Sequence, residues 1–373
     1  MTKAGETMSQ TLTENRTVTS IQAKQAILKA FAKKRPVFLW GPMGIGKSEL
    51  MQGIVDSGDI GNALLIDLRM ALMEPTDIKG IPFYNKELGV MDWAPPVDLP
   101  SAELAKQYDT VVLFLDELNS APQSTQAAAY QLVLNHRVGK YQLPNNVVIV
   151  AAGNRETDKG VTYRMPAPLA NRFVHLELAV SFDDWFSWAV ENKIHNDVVG
   201  YLTFAKQDLY DFDPKSPSRS FATPRSWSFV SELLEDDDDE QTTTDLVSGS
   251  VGEGLAVKFM AHRKMASKMP NPTDILLGKV KDLETKEISA KYSLTVSLCY
   301  ELQESCNKGD KDFDNKVNNF LRFAMDNFET ELVVMGIKLA LTQYSLPIDP
   351  DEVECFDEFH ERFGKYIKSA QAA

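Results

Sequence analysis

Short, mostly apolar runs divide the first half of the chain into pieces of the size of a β-strand. Each run is four to six residues long and is bounded by turn-forming or charged residues. The runs are residues 37–40, 63–68, 111–115, 147–152 and 173–178. Helical or irregular segments separate them, and apolar runs of this kind are typical of parallel sheets covered on both faces. The pattern predicts an α/β domain with a five-stranded parallel sheet and helices on both faces.

A second periodicity, with apolar residues every three or four positions, predicts helices before the first strand and after the last one. The first helix begins at Ser20 and ends near the basic run 33–35, whose charges suit the C-terminal end of a helix. Beyond residue 180 further helices are predicted at residues 183–206, 222–234, 247–265, 289–306, 315–328, 331–341 and 351–367. We therefore expect a flexible tail (1–18), the α/β domain (19–180), a helical domain (181–268) and a helical extension (269–373).

Two segments of the α/β domain do not fit an ordinary crossover helix. Residues 74–96 are irregular, proline-rich and aromatic, so we interpret them as an insertion whose aromatic tip is packed or offered to a partner. Residues 136–144 are predicted to form a short hairpin with Gly139 at its turn.

The first predicted strand leads directly into a complete G-x-x-x-x-G-K-[ST] sequence, and a helix-compatible run follows. In this setting glycines let main-chain N–H groups converge on the phosphates of a nucleotide. Lys47 can reach the β- and γ-phosphates, and the Ser48 hydroxyl can bind Mg²⁺. An ordinary glycine turn beside a chance lysine is the alternative, which the setting disfavours. The predicted nucleotide-binding residues are Gly41, Pro42, Met43, Gly44, Ile45, Gly46, Lys47, Ser48 and Glu49.

Polar side chains follow two later strands, at the sheet edge where ligands bind in open α/β folds. Asp116 and Glu117 come after the run at 111–115, and Asn154 comes after the run at 147–152. Asp116 is the expected ligand of Mg²⁺, directly or through water, and Glu117 is expected to orient and polarise the attacking water. Asn154 either hydrogen-bonds that water or the γ-phosphate, or only turns the chain.

The charge balance disfavours one class of partner. The 373-residue chain has a net charge of −14, whereas proteins that wrap around nucleic acid neutralise its phosphates with Lys and Arg. Part of the acidic excess lies in residues 235–240. We expect this run to form an exposed loop, or alternatively a docking site for a basic partner.

No window approaches 18 consecutive apolar residues, and residues 1–20 lack the apolar centre of a signal peptide. We therefore expect a cytoplasmic protein without a membrane span. Its three cysteines, Cys299, Cys306 and Cys355, have no C-x-x-C spacing and are expected to be buried thiols.

Taken together, these residues resemble a MoxR-type AAA+ ATPase over about residues 20–265. The resemblance rests on the order and spacing of residues 41–48, 67–69, 77–82, 116–122, 154 and 171–173. Two departures stand out. The family often has Asp-Arg-Phe where this chain has Asn171-Arg172-Phe173, and Asn-Arg-Ala-Pro where this chain has Asn119-Ser120-Ala121-Pro122. In the second departure Ser120 stands where the family often has an arginine, so that side chain cannot take part in communication between subunits.

The resemblance implies a homo-oligomeric ring, usually a hexamer, that binds ATP and Mg²⁺ between neighbouring subunits. It implies that Asn154 is the first sensor, that Arg172 is a finger reaching the γ-phosphate of the adjacent subunit, and that Arg225 is the second sensor in a helical lid. Arg164 is a further candidate for a charge acting across that interface. The hairpin and the insertion would face the ring pore or an axial surface.

Three functions remain open at this point. The first is an ATP-driven, chaperone-like remodeller that assists the assembly or maturation of a protein client. In this family such proteins are commonly paired with a von Willebrand A-type partner. The second is a nucleic-acid motor or loader, which would need a basic pore containing Arg137, Lys140 and Lys79; a chelatase-type motor subunit is a related alternative. The third is a structural ring that binds ATP and hydrolyses it slowly.

Overall fold

The computed structural model describes residues 16–155, 158, 162–234 and 239–371. The chain divides into two compact units, Met1–Ser181 and Phe182–Ala373. Most of the predicted tail and residues 235–238 of the acidic run lie outside the described residues. The described end of that run, Asp239, caps a helix by accepting hydrogen bonds from the main-chain N–H groups of Gln241 and Thr242.

The first unit is built on a parallel sheet whose strands lie in the order β1-β10-β2-β9-β6-β3. These strands are β1 (Thr17–Val18), β2 (Val37–Trp40), β3 (Ala63–Arg69), β6 (Thr110–Asp116), β9 (Val147–Gly153) and β10 (Val174–Leu178). The parallel α/β sheet is confirmed, but the predicted count of five strands is wrong, because β1 adds a sixth at the edge. Thr17 and Val18 pair with Glu177 and Leu178 of β10. Two residues are too few to show a periodicity, so only this pairing defines the strand.

Helices cover both faces of the sheet, as predicted. The helices of this unit are α1 (Ser20–Phe31), α2 (Lys47–Asp56), α3 (Pro75–Lys79), α4 (Ala102–Ala105), α5 (Gln123–Asn135) and α6 (Ala167–Ala170). Successive strand residues point to opposite faces, which gives two separate cores. Leu113 and Ile149 share one core with Leu132 of α5, whereas residues such as Val112 share the other with Ile27 of α1.

The predicted insertion is more regular than its sequence indicates. It consists of the short helix α3 and an antiparallel hairpin, β4 (Ile81–Asn85) and β5 (Val90–Ala94). Most of the apolar side chains of the hairpin are exposed. The second, predicted hairpin is confirmed as β7 (Arg137–Val138) and β8 (Tyr141–Gln142), with Gly139 in the left-handed region at its turn.

The described part of the second unit contains helices and no strand. The helices are α7 (Phe182–Glu191), α8 (Asn196–Phe204), α9 (Pro224–Leu233), α10 (Glu240–Val251), α11 (Glu253–Ala266), α12 (Pro272–Leu276), α13 (Ile288–Asn307), α14 (Phe313–Asn327), α15 (Thr330–Lys338) and α16 (Phe356–Gln371). The single helix predicted at 183–206 is divided, since Lys193 has a φ of 55°. Gly252, with a φ of 95°, separates α10 from α11 in the same way.

One hydrophobic core extends from Trp185 to Phe363, so the described parts of the predicted lid and extension share it. The boundary at residue 268 therefore stays a prediction. The three thiols are free, and those of Cys299 and Cys355 are buried. Within the described ranges, no helix combines the length and the apolar character needed to cross a membrane.

Candidate functional site

The glycine-rich loop connects the end of β2 to the first turn of α2. Gly44 and Gly46 have φ values of 72° and 90°, in the left-handed region that glycine adopts without strain. Gly46 is also the N-cap of α2, and it offers no side chain to the first-turn N–H groups. Those groups are consequently left for an external acceptor, and the positive end of the helix favours an anion there.

The ammonium group of Lys47 lies over the loop. Its Nζ donates to the carbonyl oxygens of Gly41 at 2.8 Å and Pro42 at 2.9 Å, and to Asn154 Oδ1 at 3.1 Å. Asn154 immediately follows β9, which is the neighbour of β2 in the sheet. The structure therefore brings together the loop lysine and the polar residue predicted at the end of a different strand.

The two predicted metal ligands are also neighbours. Ser48 Oγ donates to Asp116 Oδ2 at 3.2 Å, and the side chain of Asp116 is only 6% exposed. A hydroxyl and a carboxylate beside a phosphate-binding loop are the hard oxygen ligands that Mg²⁺ prefers, so these residues fit that ion. When bound, Mg²⁺ would neutralise negative charge on the phosphates.

Glu117 follows Asp116 with an unusual backbone. Its φ is 55° and its ψ is 33°, a left-handed conformation that non-glycine residues rarely adopt. The main-chain N–H of Glu117 donates to Asp116 Oδ1 at 2.9 Å, which supports this conformation. The turn directs the chain away from the strand immediately after the two carboxylates, and strain of this kind is frequent at functional sites.

A third carboxylate, which the sequence analysis did not assign to the site, comes from β3. Because β3 pairs with β6, Arg69 lies opposite Asp116 in the register. Partial burial, the nearby charge of Asp116 and that of Glu117 raise the pKa of Asp67, while Arg69 opposes the shift. Asp67 therefore adds negative potential to the region of Asp116.

Asn119 is a second residue that was missed. It lies in a short 3₁₀ turn, Leu118–Ser120, and its Nδ2 donates to the main-chain oxygen of Asn154 at 2.7 Å. The signal in the sequence was weak, since an Asn two positions after Asp-Glu is equally typical of a turn. Only the adjacency of β6 and β9 makes the contact visible.

Two of the predicted arginines, Arg172 and Arg164, come from the last part of the first unit. Arg172 is exposed, between α6 and the start of β10, where Val174 pairs with Val37 at the beginning of β2. The glycine loop starts at the other end of β2, so Arg172 does not join the Lys47 site of its own chain. Arg164 is exposed in the segment before α6.

Arg225 belongs to the second unit. It lies in the first turn of α9, and its side chain is exposed. Thr223 caps that helix and forms a capping box with Ser226, which fixes the start of the helix.

Strand, glycine loop, helix and adjoining carboxylates are arranged as in P-loop nucleotide-binding domains.

No protein-family model and no curated protein matches the chain. Solved structures with detectable similarity include a proposed ATPase from Cytophaga hutchinsonii, at 14% identity over 87% of this chain and 81% of that chain, with a TM-score of 0.34. NtrX from Brucella abortus in complex with ADP has 16% identity over 77% of this chain and 65% of that chain, with a TM-score of 0.40. The RuvB Holliday junction branch migration motor from Thermotoga maritima has 14% identity over 82% of this chain and 86% of that chain, with a TM-score of 0.33. Similarities this low do not indicate an activity.

Proposed function

We propose that this protein is a Mg²⁺-dependent ATPase of the MoxR-like AAA+ type, which hydrolyses ATP in a ring and uses the energy to remodel a partner protein. The observation that carries the proposal is the convergence of Lys47, Ser48, Asp116 and Asn154 beside a glycine loop at one sheet edge. These are the groups that phosphoryl transfer requires, because its catalysis depends on positioning and charge stabilisation.

Each residue has a separate role in this proposal. Lys47 holds the β- and γ-phosphates, and Ser48 and Asp116 hold Mg²⁺. Glu117 accepts a proton from the attacking water while the new bond to the γ-phosphorus forms and the bond to the β,γ-bridging oxygen breaks. Asn154 orients that water or the γ-phosphate. The products are ADP and phosphate.

The position of Arg172 supports an action on a second copy. Its neighbour Val174 pairs with Val37, four residues before Gly41 along β2. At about 3.3 Å per residue, that separation is roughly 13 Å along the strand. This separation supports an action of Arg172 on the γ-phosphate of an adjacent subunit, which is the reason we propose an oligomer.

A protein client is favoured over nucleic acid by the charges of the first unit. Of the basic residues considered for a pore, Lys140 forms an ion pair with Asp92 of the β4–β5 hairpin at 3.2 Å. This ion pair neutralises part of the positive charge that the two hairpins could offer to phosphates, and the net charge of −14 of the whole chain also favours a protein client. A von Willebrand A-type protein is the partner that the family resemblance suggests.

The first experiment measures phosphate release from Mg·ATP by the purified full-length chain. We expect Lys47→Ala to lose nucleotide binding, measured by calorimetry, and Glu117→Gln to bind ATP without turnover. Lys29→Ala and Glu103→Gln are matched controls, because both side chains are exposed on other helices of the same unit. A wild-type chain that releases no phosphate, or a Glu117→Gln variant with unchanged turnover, would refute the proposed activity.

The second experiment tests the shared site. Arg172→Ala and Glu117→Gln are each expected to be inactive alone, but mixing them should restore part of the turnover. Such mixtures contain interfaces at which one copy supplies Glu117 and the other supplies Arg172. No recovery in mixtures whose subunits exchange, as followed by fluorescence transfer between labelled copies, would exclude Arg172 as a residue that acts on its neighbour.

The third experiment separates the candidate clients. ATPase rates are compared with no addition, with duplex DNA at low and moderate salt, and with a protein that co-purifies from the native host. Stimulation by the protein alone is expected. Salt-sensitive stimulation by DNA would instead support the nucleic-acid motor.

A further inference from the structure

Asn119 is almost entirely buried, 1% exposed, in the turn directly after the catalytic carboxylates. Its Nδ2 donates to the main-chain oxygen of Asn154, whose side chain in turn accepts from Lys47. One side-chain amide thereby connects the end of β6 to the residue that contacts the loop lysine.

Gly153, at the end of the neighbouring strand β9, leaves room for this amide. A Cβ atom at Gly153 would overlap Asn119 Oδ1, and it would lie 2.9 Å from Phe38 Cζ. Gly153 has no positive φ, so the reason for a glycine here is close approach and not backbone conformation. The packing therefore fixes the position of the Asn119 side chain against β9.

Asn119 also contacts the segment that precedes α6. Its main-chain oxygen accepts a hydrogen bond from the N–H of Tyr163 at 2.7 Å, and the next residue is the exposed Arg164. Through this one residue, a continuous series of hydrogen bonds runs from Lys47 through Asn154 to Tyr163.

We propose that Asn119 is a positioning residue, which holds Asn154 in place against the phosphate site and couples that site to the Tyr163–Arg164 segment. This inference rests on the proposed ATPase function. Asn119 does not touch the nucleotide itself, and it acts through Asn154.

A purely structural role explains the residue less well. Asn119 Oδ1 is buried and finds no hydrogen-bond partner among the described residues. A buried amide with an unsatisfied oxygen costs free energy that an apolar side chain of similar volume would avoid. The donated bond from Nδ2 to Asn154 is what an apolar residue could not supply.

The test measures kcat, KM and nucleotide affinity for Asn119→Ala. We expect kcat to fall about 10- to 100-fold, as is common when a supporting hydrogen bond is removed from a reactive site, with KM changed less than about threefold. Asn119→Asp keeps the volume, removes the donor and is used if the alanine variant fails to fold. Asn146→Ala is the matched control, because Asn146 Nδ2 also bonds main-chain oxygens of the same unit, those of Ala105 and Tyr108, away from the site.

Gly153→Ala provides an independent perturbation, since it displaces the Asn119 amide without changing its chemistry. We expect it to lower kcat as Asn119→Ala does. Gly53→Ala, on α2, is its control, because a Cβ there would meet nothing within 4 Å. Equal kcat for the wild type, Asn119→Ala and Gly153→Ala would overturn the inference.

A double-mutant cycle between Asn119→Ala and Asn154→Ala distinguishes positioning from general destabilisation. Residues that act as one unit lose little more together than either loses alone, whereas independent losses multiply. We expect the kcat of the double variant to be within about threefold of the kcat of the less active single variant. If the losses of the two single variants multiply in the double variant while the wild type is active, the positioning role is refuted and the proposed ATPase function is not. If the wild-type chain has no turnover, both this inference and the proposed function are refuted.

Discussion

His262 makes the second unit sensitive to acid, and replacing it tests how that unit is held together. The imidazole lies on α11 and is 4% exposed, with ring centroids 5.5 Å from Tyr201 and 6.4 Å from Phe204. Neither ring nitrogen has a hydrogen-bond partner among the described residues. Burial lowers the pKa of His262 from 6.5 to about 4, although the carboxylate of Asp197 opposes the shift. The folded unit therefore accepts a proton on this ring much less readily than the unfolded chain does.

The sign and size of the effect follow from these two pKa values. Between pH 6.5 and about pH 4 the unfolded chain binds a proton at His262 that the folded unit does not bind. The free energy of unfolding consequently decreases as the pH falls through that window. At pH 5 the difference is about 2 kcal/mol, from about 1.4 kcal/mol for each pKa unit that separates the solution pH from the unfolded value. For a unit of this size, such a change lowers Tm by about 4–8 °C.

His262→Phe is expected to remove that contribution, because phenylalanine keeps the ring contacts and cannot be protonated. Urea unfolding of both proteins at about pH 7.5 and pH 5 should show the wild type losing about 2 kcal/mol more than the variant. Hydrogen exchange of peptides from α11 assigns the loss to the second unit. His360→Phe, at an exposed position on α16, is the control. If the wild type and His262→Phe lose equal stability on acidification, the buried neutral imidazole is not the cause.

Three further predictions concern the first unit. Asp67→Asn should raise the free energy of unfolding at neutral pH without Mg²⁺, because the raised pKa of Asp67 means that folding disfavours its charged form. This gain should vanish as the pH falls to about 3.8, where the carboxyl becomes protonated in the unfolded chain as well. A gain that is independent of pH would contradict this reasoning. Arg172→Ala should bind nucleotide normally but hydrolyse it at least about a hundredfold more slowly, as expected for an arginine finger, and a mild loss in a phosphate-release assay would exclude that role. Gly80→Ala should destabilise the β4–β5 hairpin, because a Cβ there would overlap the Ala94 carbonyl oxygen. We expect faster hydrogen exchange of the main-chain amides of residues 81–94. Gly89→Ala shares the positive φ without the overlap, so equal effects of the two variants would show that the overlap is not responsible.

Two of the correctly predicted strands, β6 and β9, are buried along nearly their whole length. Both cores draw on alternate residues of β6 and β9, so nearly every position in these strands is apolar. β1 could not be found, because its two residues have no pattern of their own and are defined by pairing with β10. The helix breaks at Lys193 and Gly252 depend on positive φ values, which local periodicity does not encode.

The site shows the same division between local and long-range information. The glycine loop and its lysine are adjacent in sequence, so their pattern identifies them. Asp67 and Asn119 reach the site only because β3 and β9 flank β6 in the sheet. Both residues lie in stretches on which the family resemblance rests, 67–69 and 116–122, but the sequence alone gives neither of them a role in the site. Residues of this kind become recognisable only when the strand order is known.

The contacts of Lys47 indicate how the site would respond to a nucleotide. Three of its acceptors, the main-chain carbonyls of Gly41 and Pro42 and the Asn154 amide oxygen, are uncharged. Hydrogen bonds from an ammonium to charged phosphate oxygens are stronger than those to neutral acceptors, so bound phosphate would displace them. Asn154 would then lose its bond to Lys47 but keep its main-chain bond to Asn119. The Asn154 side chain could then turn toward the γ-phosphate or the attacking water while its backbone stays fixed. The orientation of the Asn154 amide would therefore depend on whether phosphate is bound.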